Sequence, residues 1–319
     1  MDEGPQFPVV LIAFNRPDLT ARVFESIRQW KPPELVLIVD GPREGHTEDH
    51  DMVARVKDIV RQVDWPCSVT EDFSDTNLGL KQRISSGLTR VFATHEAAII
   101  LEDDCVPDVS FFRFAEELLT RYADEPRVGL IGGTSRLRGK RASEYSYDFS
   151  DDVRIWGWAT WARTWNGFIA SGDLDATWDT ETKDRMVRSF PQGPRRRAMA
   201  LMMDKAAELD SWALPFAIHC RSQQYLSVVP EVNLVENVGF GSRSTHTTFE
   251  DYVSEVKASS VTFPLRHPSV IAHNPEVDRL ENAMDARVRL LYPLAHPLNV
   301  AGRLVRYVMT RIRASRAGA

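Results

Sequence analysis

Ala97-Ala98-Ile99-Ile100-Leu101 is an unbroken apolar run that stops abruptly at Glu102-Asp103-Asp104. The run has the length of one strand and no polar alternation. It therefore reads as a strand buried on both faces, as in parallel sheets covered by helices. Two earlier stretches read the same way, Val9-Val10-Leu11-Ile12-Ala13-Phe14 and Leu35-Val36-Leu37-Ile38-Val39. The first ends in Asn15-Arg16-Pro17-Asp18, which places proline at a helix start. Leu19, Val23, Ile27 and Trp30 then recur at spacings of three and four, one face of a helix. The second run stops at Asp40-Gly41-Pro42, and a helix follows near Asp49–Val63. Cys67-Ser68-Val69-Thr70 is a weaker strand, and Asn77-Leu78-Gly79 leads into a helix through Phe92. Beyond the acidic triplet, Phe111–Tyr122 is helical and Val128–Gly133 is another strand. This alternation predicts an α/β fold with a Rossmann-like, mostly parallel sheet flanked by helices. Ligands in such sheets bind beyond the carboxyl ends of the strands. Asn15-Arg16, Asp40, Glu102-Asp103-Asp104 and the segment after Gly133 lie at those ends.

Three adjacent carboxylates repel one another, and a strand end tolerates them most easily beside a cation or hydroxyl donors. Hard carboxylate oxygens suit Mg²⁺ or Mn²⁺ better than zinc. A solvated loop or helix-capping acids would explain the triplet without a metal.

The second half reads differently. Arg154–Asn166 holds four tryptophans in thirteen residues. Aromatic faces stack on sugar C–H surfaces, so Trp156 and Trp158 are candidates for a sugar pocket. Clustered tryptophan is equally core material. Arg185–Leu209 reads as helical around Arg195-Arg196-Arg197, and short strands follow at Ser227-Val228-Val229 and Asn233-Leu234-Val235. No repeat or linker-like composition marks a boundary near residue 150.

Composition narrows the classes. The chain has 319 residues, 43% apolar and 26% charged, the range of a globular protein. A net charge of −6 argues against a nucleic-acid partner, which favours a basic surface. Cys67, Cys105 and Cys220 are scattered, so neither a disulfide framework nor a cysteine zinc site is expected. The acidic start and short apolar stretch do not read as a signal peptide, and no run approaches the ~18 apolar residues of a spanning helix. The expected location is the cytoplasm. Ala301, Leu304, Val305, Val308, Met309 and Ile312 share one side of a helix that also carries Arg303, Arg306, Arg311, Arg313 and Arg316. Such a helix suits peripheral contact with an anionic inner membrane face, or packing on the body with solvated arginines.

The segments PVVLIAFNRP (8–17), LVLIVDG (35–41), AAIILEDDCVPDVSFF (97–112), WGWATW (156–161) and PEVNLVENVGFGSRSTHT (230–247) together resemble GT-A fold glycosyltransferases. They are most similar to the N-acetylglucosaminyltransferase I group and its bacterial relatives, over roughly residues 7 to 250. The resemblance implies a metal-dependent, inverting transfer of sugar from a UDP-sugar, with Mn²⁺ or Mg²⁺, to a glycan or glycolipid acceptor. It implies that Asp104 holds the metal, Asp103 the ribose and Glu102 the donor sugar. It places Arg16 beside the nucleotide, Asp40 at the uracil edge, and Lys81 or Arg83 on a helix facing the donor. Ser244 and His246 resemble a loop that closes over the diphosphate. His246 taken alone suits a metal ligand, a phosphate donor or a cap. Arg16 alone suits phosphate pairing or a solvated surface, and Asp40 alone suits a turn. One fold is expected over 1–297, with a nucleotide-binding half at 1–150 and an acceptor half at 151–297. The basic helix at 298–319 follows.

Inverting displacement needs a base for the acceptor hydroxyl. The related proteins carry Asp directly after a Trp, where this chain has Ala213 after Trp212. Asp210 and Glu236 are the candidate bases. Two rivals stand beside transfer: a nucleotide-sugar binder without catalysis, and a sugar-nucleotide pyrophosphorylase. The latter should carry a Gly-rich basic loop after the first strand, and Ile12–Pro17 contains no glycine.

Overall fold

The computed structural model describes residues 6–175, 178–190, 196, 199–200, 202–203, 210–239 and 256–283. Ser244, His246, Arg195, Arg197 and the expected C-terminal helix at 298–319 lie outside the described residues.

The first half alternates as its sequence predicts: β1 (Val9–Ala13), α1 (Pro17–Trp30), β2 (Glu34–Val39), α2 (Thr47–Val60), β3 (Ser68–Phe73), α3 (Leu80–Val91) and β4 (Ala97–Glu102). Then come β5 (Cys105–Pro107), α4 (Ser110–Arg121), β6 (Val128–Gly132), β7 (Tyr147–Ser150), β8 (Trp158–Trp161), α5 (Ala162–Ser171) and α6 (Thr180–Ser189). The described elements close with α7 (Ala213–Ser222), β9 (Leu226–Pro230) and β10 (Val235–Asn237).

Eight strands form one sheet in the order β3-β2-β1-β4-β8-β6-β9-β7. The expectation of a mostly parallel sheet needs correction. β3, β2, β1 and β4 pair in parallel, but β8 enters antiparallel between β4 and β6. β6 and β9 are parallel, and β7 closes that side antiparallel to β9. The sheet is therefore mixed, and helices cover both of its faces. The alternation of side chains along β1 shows the layering. Val9, Leu11 and Ala13 pack with Val23 and Ile27 of α1, Val53 of α2 and Phe112 of α4. Val10 and Ile12 pack on the other face with Leu88 of α3, Trp165 of α5 and Phe216 of α7. Among the described residues no helix is long and apolar enough to cross a membrane.

The strand read at Asn233-Leu234-Val235 is displaced to Val235–Asn237, where β10 pairs antiparallel with β5. Before β10 the backbone is bonded elsewhere, with Leu234 N donating to Gly133 O and Asp108 N to Leu234 O, and the Asn233 side chain ties several segments together. It donates to the carbonyls of Val235 and Val256, while its Oδ1 accepts from Ser135 N.

Candidate functional site

A cavity of about 380 Å³ opens at the carboxyl ends of β1, β2 and β4. Phe14, Arg16, Asp40, Arg43, Asn77, Gly79, Arg83, Glu102, Asp103, Asp104, Trp156, Asp210, Asn237 and Gly239 contribute to its wall. Three parallel strands ending together deliver the first and central residues of this set. The antiparallel insertion delivers Trp156: Trp158 lies opposite Ile100 in the register, so residues just before β8 overhang the end of β4. The β5–β10 ribbon carries Asn237 and Gly239 over the acidic triplet. Val238 N donates to Asp104 O at 2.8 Å. A Cβ at Gly239 would sit 2.0 Å from Asp104 Oδ2, so only glycine allows this approach.

The triplet and Arg16 form one electrostatic unit. Arg16 donates to Asp103 through Nη2 and pairs with Asp104 Oδ2 through Nη1 at 2.9 Å. Asp103 also accepts from Phe14 N at 3.2 Å, which ties the end of β1 to the end of β4. Burial pushes the Glu102 carboxyl up to about 8, and repulsion from Asp104 and Asp103 adds to it. Burial pushes Asp103 up to about 6 despite the opposing charge of Arg16. Arg16 itself is held charged: burial disfavours its cation, but Asp103 and Asp104 outweigh that. Crowded hard oxygens on a cavity wall, with two carboxyls displaced toward their neutral forms, fit a divalent cation. Asp104 would hold it, since its side chain is 15% exposed while that of Asp103 is 3% exposed.

A different group among the described residues brings three metal-capable side chains together. Asp151, His273 and Asp278 place ligand atoms within 4.8 Å of one another.

The remaining predicted residues divide. Trp156 lines the cavity, whereas Trp158 is 1% exposed and stacks on Trp212 at 5.7 Å between ring centres. Trp158 is core material. Asp40 faces the cavity, but its oxygens accept from Gly41 N, Leu78 N, Gly79 N and Asn77 Nδ2 at 2.9 to 3.2 Å. That carboxylate organises the loop before α3, and burial raises its pKa against these donors. Arg83 borders the cavity yet is buried, pairing with Asp72 through both its carbonyl and its carboxylate. Lys81 reaches Asp175 at 2.6 Å instead of the cavity.

The two candidate bases are engaged elsewhere. Asp210 lines the cavity and accepts from Leu80 N at 3.0 Å and Lys81 N at 3.3 Å, closing the amino end of α3. Gly79 beside it takes φ +80, a conformation that suits glycine, and a Cβ there would meet Asp210 Oδ2 at 2.8 Å. Glu236 pairs with Lys257 and is not part of the cavity wall.

Sequence reasoning missed Arg43. Asp49 accepts from Arg43 Nε at 2.6 Å and Nη2 at 3.0 Å, and from Asn15 Nδ2 at 2.7 Å. Those donors hold the Asp49 carboxylate well below its usual range, the Arg43 hydrogen bond most of all. The guanidinium stands 5.4 Å from the centre of the Phe14 ring. An arginine four residues past the end of β2 was the available signal.

No known protein family matches the chain, and no curated protein matches it by sequence. Two solved structures show distant likeness. One is a UDP-glucose pyrophosphorylase complexed with UDP-glucose, 10% identical over 47% of this chain, with a TM-score of 0.27. This chain spans 64% of that protein's length. The other is 4-diphosphocytidyl-2C-methyl-D-erythritolsynthase from Anaerococcus prevotii. It is 8% identical over 68% of this chain and 98% of that one, with a TM-score of 0.31. Likenesses this distant assign no residue to the site.

Proposed function

We propose that the cavity binds a nucleoside-diphosphate sugar and that the chain transfers the sugar to an acceptor hydroxyl. The observation that carries this reading is the meeting of Arg16, Asp103 and Asp104 just past the ends of the parallel strands β1 and β4, in a cavity that Trp156 also lines. Arg16 and Arg43 supply cations for a diphosphate. Trp156 supplies an aromatic face for the sugar ring. Asp104 would hold Mn²⁺ or Mg²⁺, which when bound offsets the negative charge growing on the leaving diphosphate. Asp103 lies deeper, and its contact with Phe14 N fixes its direction. A UDP-sugar donor and a glycan or glycolipid acceptor follow from the family resemblance.

The test is calorimetric titration of UDP, with and without Mn²⁺, on wild type and Asp104→Ala. Mn²⁺ should tighten UDP binding in the wild type and leave the variant unchanged. Equal binding by both proteins with Mn²⁺ would remove Asp104 from the metal.

A second reading, a nucleotide-sugar binder without transfer, has one observation in its favour. Asp210 is occupied at the start of α3, and Glu236 is paired with Lys257 away from the cavity. Metal-dependent UDP binding without transfer or hydrolysis of any UDP-sugar would select it.

A further inference from the structure

The edge of the sheet farthest from β3 carries a second polar centre. β7 is the edge strand there. The segment around His273 runs along it: Asn274 N donates to Phe149 O at 2.8 Å, and Asn274 Nδ2 to Asp148 Oδ1 at 2.8 Å. This arrangement brings His273 and Asp278 beside Asp151, the residue that follows β7.

Three features make it more than a surface charge cluster. First, the donor atoms are one imidazole nitrogen and two carboxylate oxygens, all within 4.8 Å of one another. On a tetrahedral Zn²⁺ such atoms lie about 3.3 Å apart, given metal–ligand distances near 2.0 Å. Closing the set needs its widest separation to shrink by at most about 1.5 Å, and the His273–Asp278 pair to open by less than about 1 Å. Second, both carboxylates are already oriented by neighbours outside the set. Ser150 Oγ donates to Asp278 Oδ1 at 2.7 Å. Arg221 pairs with Asp151 at 2.9 Å and is itself anchored by Ser189 and the Phe190 ring. Oriented ligands are what a metal site requires of its surroundings. Third, Ser227 lies directly opposite Ser150 in the β7–β9 register, so both hydroxyls leave the sheet on the face that carries Asp278. Ser227 is 1% exposed, and among the described residues its Oγ has no hydrogen-bond partner. A buried hydroxyl left unmatched next to Ser150, whose own hydroxyl holds Asp278, suits a bound water on that face.

We propose that Asp151, His273 and Asp278 form a zinc site, separate from the cavity, with an open fourth position for water. His273 Nε2 and Asp278 Oδ2 stand 2.6 Å apart. Zn²⁺ takes the place of the proton between them, and that proton leaves to solvent. One nitrogen and two oxygen ligands with a free position match zinc better than Mg²⁺ or Ca²⁺, which favour all-oxygen shells. The site would clamp the 271–278 segment to the start of the connection that leads from β7 to Trp156.

The experiment uses full-length Asp104→Ala protein, stripped with a chelator, so that the cavity acids do not compete. Zn²⁺ alone is titrated by calorimetry, and thermal unfolding is followed with and without it. One equivalent of Zn²⁺ should bind and raise the Tm. Adding His273→Gln, which keeps a donor for Asp278, should weaken Zn²⁺ binding at least about 100-fold, beyond the loss typical of an outer-shell change. Circular dichroism of metal-free His273→Gln checks its fold, and Asp151→Asn, at a half-buried position, serves as a second ligand variant. No stoichiometric uptake by the Asp104→Ala protein would overturn the proposal. So would unchanged uptake in both ligand variants.

Discussion

The two sides of the sheet supply the cavity wall by different means. On the β3-β2-β1-β4 side, strands run in parallel and end together, so Phe14, Asp40 and Glu102 reach one rim by chain direction alone. On the β8-β6-β9-β7 side, directions are mixed: β8 and β7 run antiparallel to their neighbours, while β6 and β9 are parallel. There a residue reaches the rim by preceding a strand, as Trp156 does before β8. Parallel strands thus place charge, and an antiparallel insertion places an aromatic side chain in the same cavity.

The largest effect expected of this contrast concerns the two tryptophans. Trp158→Ala removes a ring packed against Trp212 and Phe216 at 5.7 and 5.4 Å between centres. It should cost about 3–5 kcal/mol of stability, as large aromatic truncations in cores do. Trp156→Ala should leave stability within about 1 kcal/mol while weakening UDP-sugar binding. Urea denaturation of both variants and donor titration of the second measure this. Equal stability losses would erase the distinction between wall and core.

Next comes Asp40, at the rim of the parallel side. Asp40→Ala strands the N–H groups of Gly41, Leu78 and Gly79. The expected cost is about 1–3 kcal/mol, the penalty of unsatisfied buried donors. Weakened UDP binding with stability intact would instead make Asp40 a ligand contact.

The pH profile sharpens the picture of the acidic triplet. Glu102 rises from 4.5 to about 8 and Asp103 from 3.8 to about 6. Raised carboxyl pKa values mean that the folded, metal-free chain binds more protons than the unfolded one within those windows. Stability contributed by these groups therefore falls as pH rises, from 3.8 to about 6 for Asp103 and from 4.5 to about 8 for Glu102. The slope is at most about 1.4 kcal/mol per pH unit for each proton. Glu102→Gln should flatten the profile at the upper end of that range, measured as urea midpoints across pH. An unchanged profile would place the crowding elsewhere.

The parallel side was largely legible in the sequence, because Val9–Ala13, Leu35–Val39 and Ala97–Leu101 are apolar on both faces and close in sequence to their helices. The other side was not. WGWATW reads as core or pocket, and nothing local says that Trp158–Trp161 inserts between β4 and β6. β7 escaped notice because its polar residues are satisfied at long range, Asp148 by Asn274 and Ser150 by Asp278. Within the cavity, the charged triplet and Arg16 could be read directly. The occupation of Asp40 by loop donors, and the fixing of Arg43 by Asp49, depend on contacts that spacing does not encode.

Asp210 is where the two sides meet, and it carries the smallest expected effect. It precedes α7, yet both of its oxygens accept from the first turn of α3 on the parallel side. Negative side chains at a helix start satisfy otherwise unpaired N–H groups and favour the helix dipole. Asp210→Ala should therefore cost about 1 kcal/mol, and Asp210→Asn, which keeps one acceptor, should cost less. If capping is its role, transfer by Asp210→Asn should stay within about tenfold of wild type, since general-base loss costs at least ~10²-fold. Single-turnover transfer rates and urea midpoints of the same two variants separate the cases. A hundredfold fall in Asp210→Asn at full stability would make Asp210 the base, and its bonds to α3 would then serve to aim it.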